Sequence, residues 1–89
     1  MKAVVTVMGE DKTGIIAKVS TCLSEKNVNI LDINQTIMQN IFTMVMLVDT
    51  KGANADYSEI TKALEEIGEK IGVEIRMQRE DIFHSMHRI

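Results

Sequence analysis

The chain has 89 residues, 45% hydrophobic and 26% charged, with a formal net charge of −3 and one cysteine. That length holds one domain and buries only about 60–65% of the surface its unfolded form exposes, so a second copy would add stability. The acidic balance argues against a surface built to neutralise nucleic-acid phosphates, and no stretch approaches the roughly 18 apolar residues of a membrane helix. A lone Cys22 cannot close an internal disulfide, and the apolar run Met1–Val7 is too short for a signal-peptide core, so the cytoplasm is the expected location.

The first element is a strand over residues 2–8, ended by Gly9. Ala3, Val5 and Val7 share one face and Val4, Thr6 and Met8 the other; both are largely apolar, as in a central strand. Asp11-Lys12-Thr13-Gly14 then turns into a helix over 15–26, with Asp11 or Thr13 able to cap its first amides. Its apolar stripe is Ile15, Ile16, Val19, Cys22 and Leu23, and Asn27 is the expected stop.

Residues 28–39 read as a strand with Leu31, Ile33 and Ile37 on one face and Val28, Ile30, Asp32, Asn34 and Thr36 on the other. Gln39-Asn40 is a tight turn, and 41–49 is the return strand, with Phe42, Met44, Met46 and Val48 on one side. After a loop around Gly52, Asp56 and Glu59 form the acidic version of a capping box. Ile60, Leu64, Ile67 and Ile71 trace an amphipathic helix closed by Gly72. Val73, Ile75 and Met77 alternate with Glu74, Arg76 and Gln78 in a last strand. The domain is expected over 1–81. Residues 82–89 are a tail whose Phe83, Met86 and Ile89 recur every third position, a pattern open to a short helix or to a reach across a neighbour.

The order βαββαβ implies an α+β, ferredoxin-like sandwich: a four-stranded antiparallel sheet of order 4-1-3-2 with two helices on one face. The second and fourth strands are then edges, and Val4, Thr6 and Met8 look out from the face without helices. An apolar open face or edge on so small a domain invites a partner.

The stretch with chemical potential runs from Gly9 to Ile16. A loop entering a helix offers unpaired N–H groups and the positive end of the helix dipole, and Gly14 lets a carboxylate approach. A glycine there could equally pack the helix against the second strand. Asp11-Lys12-Thr13-Gly14-Ile15-Ile16-Ala17-Lys18-Val19-Ser20, with Leu23 and then Asn29-Ile30-Leu31-Asp32-Ile33-Asn34-Gln35, resembles the ACT domain. The helix start is similar to that family's D-x-P-G pattern and the strand to its N-I-x-D pattern. Similarity extends to the ACT regions of formyltetrahydrofolate deformylase and of the glycine-cleavage repressor group. Over its full length, including Arg79-Glu80-Asp81-Ile82-Phe83 and Met86-His87-Arg88-Ile89, the chain resembles the small stand-alone ACT proteins of bacteria and archaea, the UPF0237 group.

The resemblance implies a regulatory module sensing an amino acid or related carboxylate at the interface of a homodimer or higher homo-oligomer, with no cofactor. Carried over, Gly9, Asp11, Thr13, Gly14 and Ile15 of one copy would face Asn29, Ile30, Leu31 and Asp32 of another. Thr13 stands where many relatives have proline, so ligand identity does not transfer with the resemblance.

Rival readings rest on fewer residues. Cys22 lies in the apolar stripe and reads as a core thiol rather than a nucleophile. His84 and His87, near Glu80 and Asp81, form a candidate metal pair, though such a pair more often marks a solvated helix face. Nucleic-acid modules of this topology stack bases on exposed aromatics; Phe42, Tyr57 and Phe83 fit no such motif. Met38, Met44, Met46 and Met77 suit an adaptable ligand surface or, more commonly, a core or dimer interface. A ligand-independent interaction module is the main alternative to the sensor.

Overall fold

In the computed structural model, which describes residues 1–10 and 13–81, the apolar strand Lys2–Glu10 (β1) forms the middle of the sheet. It pairs antiparallel along its whole length with Ile41–Asp49 (β3), from Lys2 opposite Asp49 to Glu10 opposite Ile41. On its other side lies Val73–Arg79 (β4), from Ala3 opposite Arg79 to Gly9 opposite Val73. Asn29–Met38 (β2) pairs with β3 alone, giving the order β2-β3-β1-β4, the expected 4-1-3-2 order read from the other edge. β1 runs past the expected stop at Gly9 because Gly9 and Glu10 still find partners in Phe42 and Ile41.

Two helices, Ile15–Glu25 (α1) and Tyr57–Ile71 (α2), cover one side. The core is the sum of the inward positions: Ala3, Val5 and Val7 of β1, the even-numbered residues 42–48 of β3 and the odd-numbered residues 73–77 of β4. Ile15, Val19, Leu23, Ile60 and Leu64 press on them from the helices, each such side chain worth about 1.5–3 kcal/mol on burial. Met44, Met46 and Met77 are therefore core residues, and only Met38 of the four singled out is exposed.

α2 begins with a complete capping box: the Asp56 carboxylate accepts from the Glu59 N–H at 2.8 Å and the Glu59 carboxylate from the Asp56 N–H at 3.3 Å. It ends at Gly72, whose φ of 75° is left-handed. The Tyr57 hydroxyl donates to the Met77 carbonyl at 2.8 Å, tying the helix start to β4. Close approach of helix and strand depends on Gly68, where a Cβ would stand 2.6 Å from the Val73 carbonyl oxygen.

α1 departs from the expectation at its start. Gly14, with φ 89°, takes the cap position, and among the described residues no side chain caps the first turn. Thr13 therefore does not cap; the cap falls one residue later, on a residue with no side chain, while Asp11 lies outside the described residues. Ile16 belongs to the expected apolar stripe but is exposed, because α1 meets the core with positions 15, 19, 22 and 23 and turns 16 toward β2. At the other end Asn27 is left-handed (φ 58°), as anticipated.

β2 also differs. A bulge between Ile30 and Asp32 sets two residues, Leu31 and Asp32, against Leu47. The extra residue reverses the alternation, so Leu31 does not share a face with Ile33 and Ile37, and Ile30 does not share one with Asp32. Ile33, Gln35 and Ile37, opposite Met46, Met44 and Phe42, lie on the helix side. Gln39 and Asn40 make the turn with φ of 49° and 70°, the two positive values a two-residue hairpin wants even without glycine. The tail expectation for 82–89, with His84 and His87, lies outside the described residues. Among the described residues no helix is long and apolar enough to cross a membrane.

Two outcomes follow from this packing. Gly68→Ala gains helix propensity of about 1 kcal/mol but forces α2 off β4, at about 1–3 kcal/mol, so the urea midpoint should fall; Gly52→Ala, whose added Cβ meets only the Asn27 side-chain amide at 3.5 Å, should leave it near wild type. Burial raises the pKa of the Cys22 thiol above its ordinary value, against the smaller lowering by Lys26. The thiol should resist an aromatic disulfide reagent in the native protein at neutral pH and react at once in denaturant.

Candidate functional site

Gly14 is the residue around which one wall is built. Its left-handed φ excludes a side chain at little strain, while an added Cβ would meet nothing within 4 Å. The glycine therefore does not serve close packing against β2. It provides an open approach to the first turn of α1, whose amides have no intrahelical acceptor. A shallow cleft of about 450 Å³ lies here, lined by Gly14, Ile15, Ile16, Ala17 and, from the strands, Gln35, Ile37 and Phe42. Ile16 and Ile37, two of its apolar lining residues, are exposed.

Gly9 has a different role. A Cβ there would lie 2.8 Å from Val73 Cγ1 and 3.1 Å from Val73 Cα, so the missing side chain admits β4 rather than a ligand. Thr13 is exposed beside Gly14, and Ile15, though buried, is among the residues that line the cleft.

The other expected wall lies at the far end of the sheet. Gly9 and Glu10 pair with Phe42 and Ile41, near the β2–β3 turn, whereas Asn29 and Ile30 pair with Asp49 and Val48, beside the start of β1. No register shift of this sheet brings Asn29–Asp32 to Gly14 within one chain. In its own chain Gly14 shares its cleft with the second half of β2.

The far end is nonetheless well formed. The Asn27 side-chain amide donates to the Gly52 carbonyl at 2.7 Å, the Asn54 side-chain amide to the Glu25 carbonyl at 3.2 Å and the Asn54 N–H to the Lys26 carbonyl at 3.0 Å. These bonds clamp the loop after β3 onto the turn before β2. A second shallow cleft, of about 480 Å³, opens there between Ser20, Ser24, Asn29 and Ile30. Asn29, Leu31 and Asp32 are exposed; the Asp32 carboxylate accepts from the Ile33 N–H at 2.9 Å beside the bulge. Asp49, the cross-strand neighbour of Asn29, accepts from the Lys51 N–H at 3.0 Å and lies 3.5 Å from the N-terminal amine; these hold its carboxyl below the usual range.

Gln35 and Ile37 escaped the sequence reading as site residues. The signal was available in the hairpin: counting back from Gln39-Asn40 pairs Ile37 with Phe42 and Gln35 with Met44, which puts both on the helix side. A further groove, of about 480 Å³, runs between α1 and α2 among Lys18, Lys26, Glu66 and Lys70, on the solvent side away from Gly14. Among the described residues no group of three or more His, Cys, Asp or Glu is placed to hold a metal ion.

The model of the ACT domain matches residues 2–78, nearly the whole described chain. A UPF0237 protein of Methanocaldococcus jannaschii is 53% identical over 99% of this chain and 98% of its own. An ACT domain protein from Streptococcus pneumoniae superposes with a TM-score of 0.81 at 38% identity, covering 93% of each chain. The regulatory subunit of aspartate kinase from Thermus thermophilus gives 0.68 at 26%, over 86% of this chain and half of that one. A glycine cleavage system transcriptional repressor (TM-score 0.76, 23% identity, 86% of this chain and 44% of that one) shares the fold. So does a formyltetrahydrofolate deformylase from Pseudomonas syringae (0.79, 22%, 88% and 27%). With a family pattern across the sheet and both helices, and full-length relatives at about half identity, this chain belongs to the ACT domain family.

Proposed function

We propose that the protein is a regulatory module that binds a small carboxylate, an amino acid or a close relative, in a cleft shared by two copies joined along β2. The observation that carries this reading is the separation of the two walls. The Gly14 approach and the Asn29–Asp32 segment stand at opposite ends of one sheet, and the strand that links them is an edge.

That edge is poorly protected. β2 is ten residues long, contains neither lysine nor proline, and every residue from Leu31 to Met38 is exposed. On its helix side Ile33 and Ile37 are 43% and 55% exposed, and Ile16 of α1 continues the apolar strip. β4, the other edge, is shorter and carries Glu74, Arg76 and Arg79. A two-fold axis through β2 that keeps the helices on one side sets the two edge strands antiparallel. The beginning of one β2 then lies beside the end of the other, next to the Gly14 loop. A homodimer so built closes two equivalent sites.

In each site the first-turn amides of α1 receive the carboxylate, and Asp32 or Asn29 of the second copy takes the ammonium. Ile16 and Ile37 border the space left for a side chain. A ligand that spans both copies binds the joined arrangement better than the separate one, which is the differential a regulator requires. The buried thiol of Cys22 and the exposed positions of Asp32 and Asn29 favour binding over catalysis, and an unpaired cysteine suits the cytoplasm.

Calorimetry or thermal shift against a panel of amino acids and folate-related metabolites tests the reading. One compound should stabilise the wild type, by about 2.7 kcal/mol when present at 100 times its Kd. Gly14→Val, which places a branched side chain at left-handed φ for about 1–2 kcal/mol of strain, should remain folded and lose the response. Silence across the panel with an intact dimer would instead leave a ligand-independent interaction module, and turnover of any compound would make the protein an enzyme.

A further inference from the structure

The sheet face that bears no helix lacks charge where a wet face would carry it. Between Lys2 and Glu10, the outward positions of β1 are Val4, Thr6 and Met8; those of β3 up to residue 47 are Ile41, Thr43, Val45 and Leu47. None is charged, whereas an antiparallel sheet with one solvated face alternates apolar inward with polar outward residues. Met38 is 67% exposed, Met8 55%, Ile41 54% and Val45 36%. The register gathers these four into one patch: Met38 is opposite Ile41, and Met8 is opposite Thr43, the residue between Ile41 and Val45 on that face.

Charges lie around this centre and carry both signs. On β4, Arg76 is bridged to Glu74 at 2.7 Å, and at one end of the sheet the N-terminal amine lies 3.5 Å from Asp49. An uncharged centre inside a polar rim is the anatomy of a protein interface, and a rim of mixed sign does not repel its own copy. Area decides what can cover it. One sheet of four strands, about 4.8 Å apart and about seven residues long, presents roughly 450 Å². Two such faces bury roughly 900 Å², short of the roughly 1,200–2,000 Å² of a stable interface. Two copies joined along β2 present one continuous eight-stranded face, and two of those bury roughly 1,800 Å².

We infer that β2-joined pairs stack sheet to sheet through Met8, Met38, Ile41 and Val45, so that four copies form a closed assembly with the helices outside. The inference rests on the β2 pairing proposed above for its area, and on the uncharged face for its contacts. The axis through β2 and a second one lying between the sheets generate the closed symmetry of a tetramer. Every open face is then covered, and the stack cannot grow further. The clefts at Gly14 stay on the helix side, accessible to a ligand.

Sedimentation equilibrium of the full-length protein tests the stacking. The wild type should weigh four times the 10.0 kDa chain, and Met8→Lys, which charges the centre of the face, should halve that mass. Ile33→Lys, on the β2 edge, should reduce it to a single chain, because a lone face is too small to hold. A wild-type dimer that Met8→Lys leaves intact would overturn the stacking and spare the β2 pairing. A dimer that Met8→Lys splits and Ile33→Lys does not would support the face contact and overturn the β2 pairing. Should Met8→Lys fail to fold, nuclear Overhauser spectra of wild-type samples mixing labelled and unlabelled chains decide. Contacts between chains from the Met8 methyl to Ile41 or Val45 methyls are expected, and their absence would overturn the inference.

Discussion

Pairing of β1 on both sides, residue for residue from Ala3 to Gly9, is the constraint from which the rest of the molecule follows. A strand hydrogen-bonded along both edges cannot slip without turning Ala3, Val5 and Val7 out of the core. With β1 fixed, its end sets where the Gly14 loop emerges, and its start sets the height of Asp49 and hence of Asn29. The distance between the two candidate walls is a property of the register and not of any local motif.

On the proposed reading, that geometry lets one copy be a folded scaffold and still hold only half of a site. Its core is closed by two helices over three strands, leaving β2 to project beyond them with apolar side chains in water. An isolated copy bears the cost of that exposure; the symmetric pair proposed above would remove it and complete two clefts at once. In that proposal stability and ligand recognition draw on the same surface, so a molecule bound across it would alter how strongly the copies hold together. The glycines divide along the same lines: Gly9 and Gly68 admit β4 and its carbonyl, while Gly14 faces open space.

Much of this was legible in the residues. Strict alternation in β1, β3 and β4 gave the faces, and Asp56, Glu59 and Gly72 marked both ends of α2, because each of these signals is local. The bulge at Leu31 was not legible. On an edge strand both faces are exposed, so neither register is punished by burial and no glycine marks the irregularity. The start of α1 misled for a related reason: Thr13 is a good capping residue, but the left-handed Gly14 took the cap position after it. As for the proposed site, Gly14 could be picked out from its place before a helix and the second copy was expected from the family resemblance, whereas Gln35 and Ile37 required the hairpin register.

Complementation between two damaged walls tests the shared cleft most directly. Gly14→Val and Asp32→Ala homodimers, each unable to bind the amino acid that stabilises the wild type, are unfolded together and refolded as a mixture. If each cleft takes one wall from either chain, mixed dimers contain one intact cleft, and binding should return to about a quarter of the sites. A mixture as inert as its two components would show that both walls belong to one chain, and the account would be wrong.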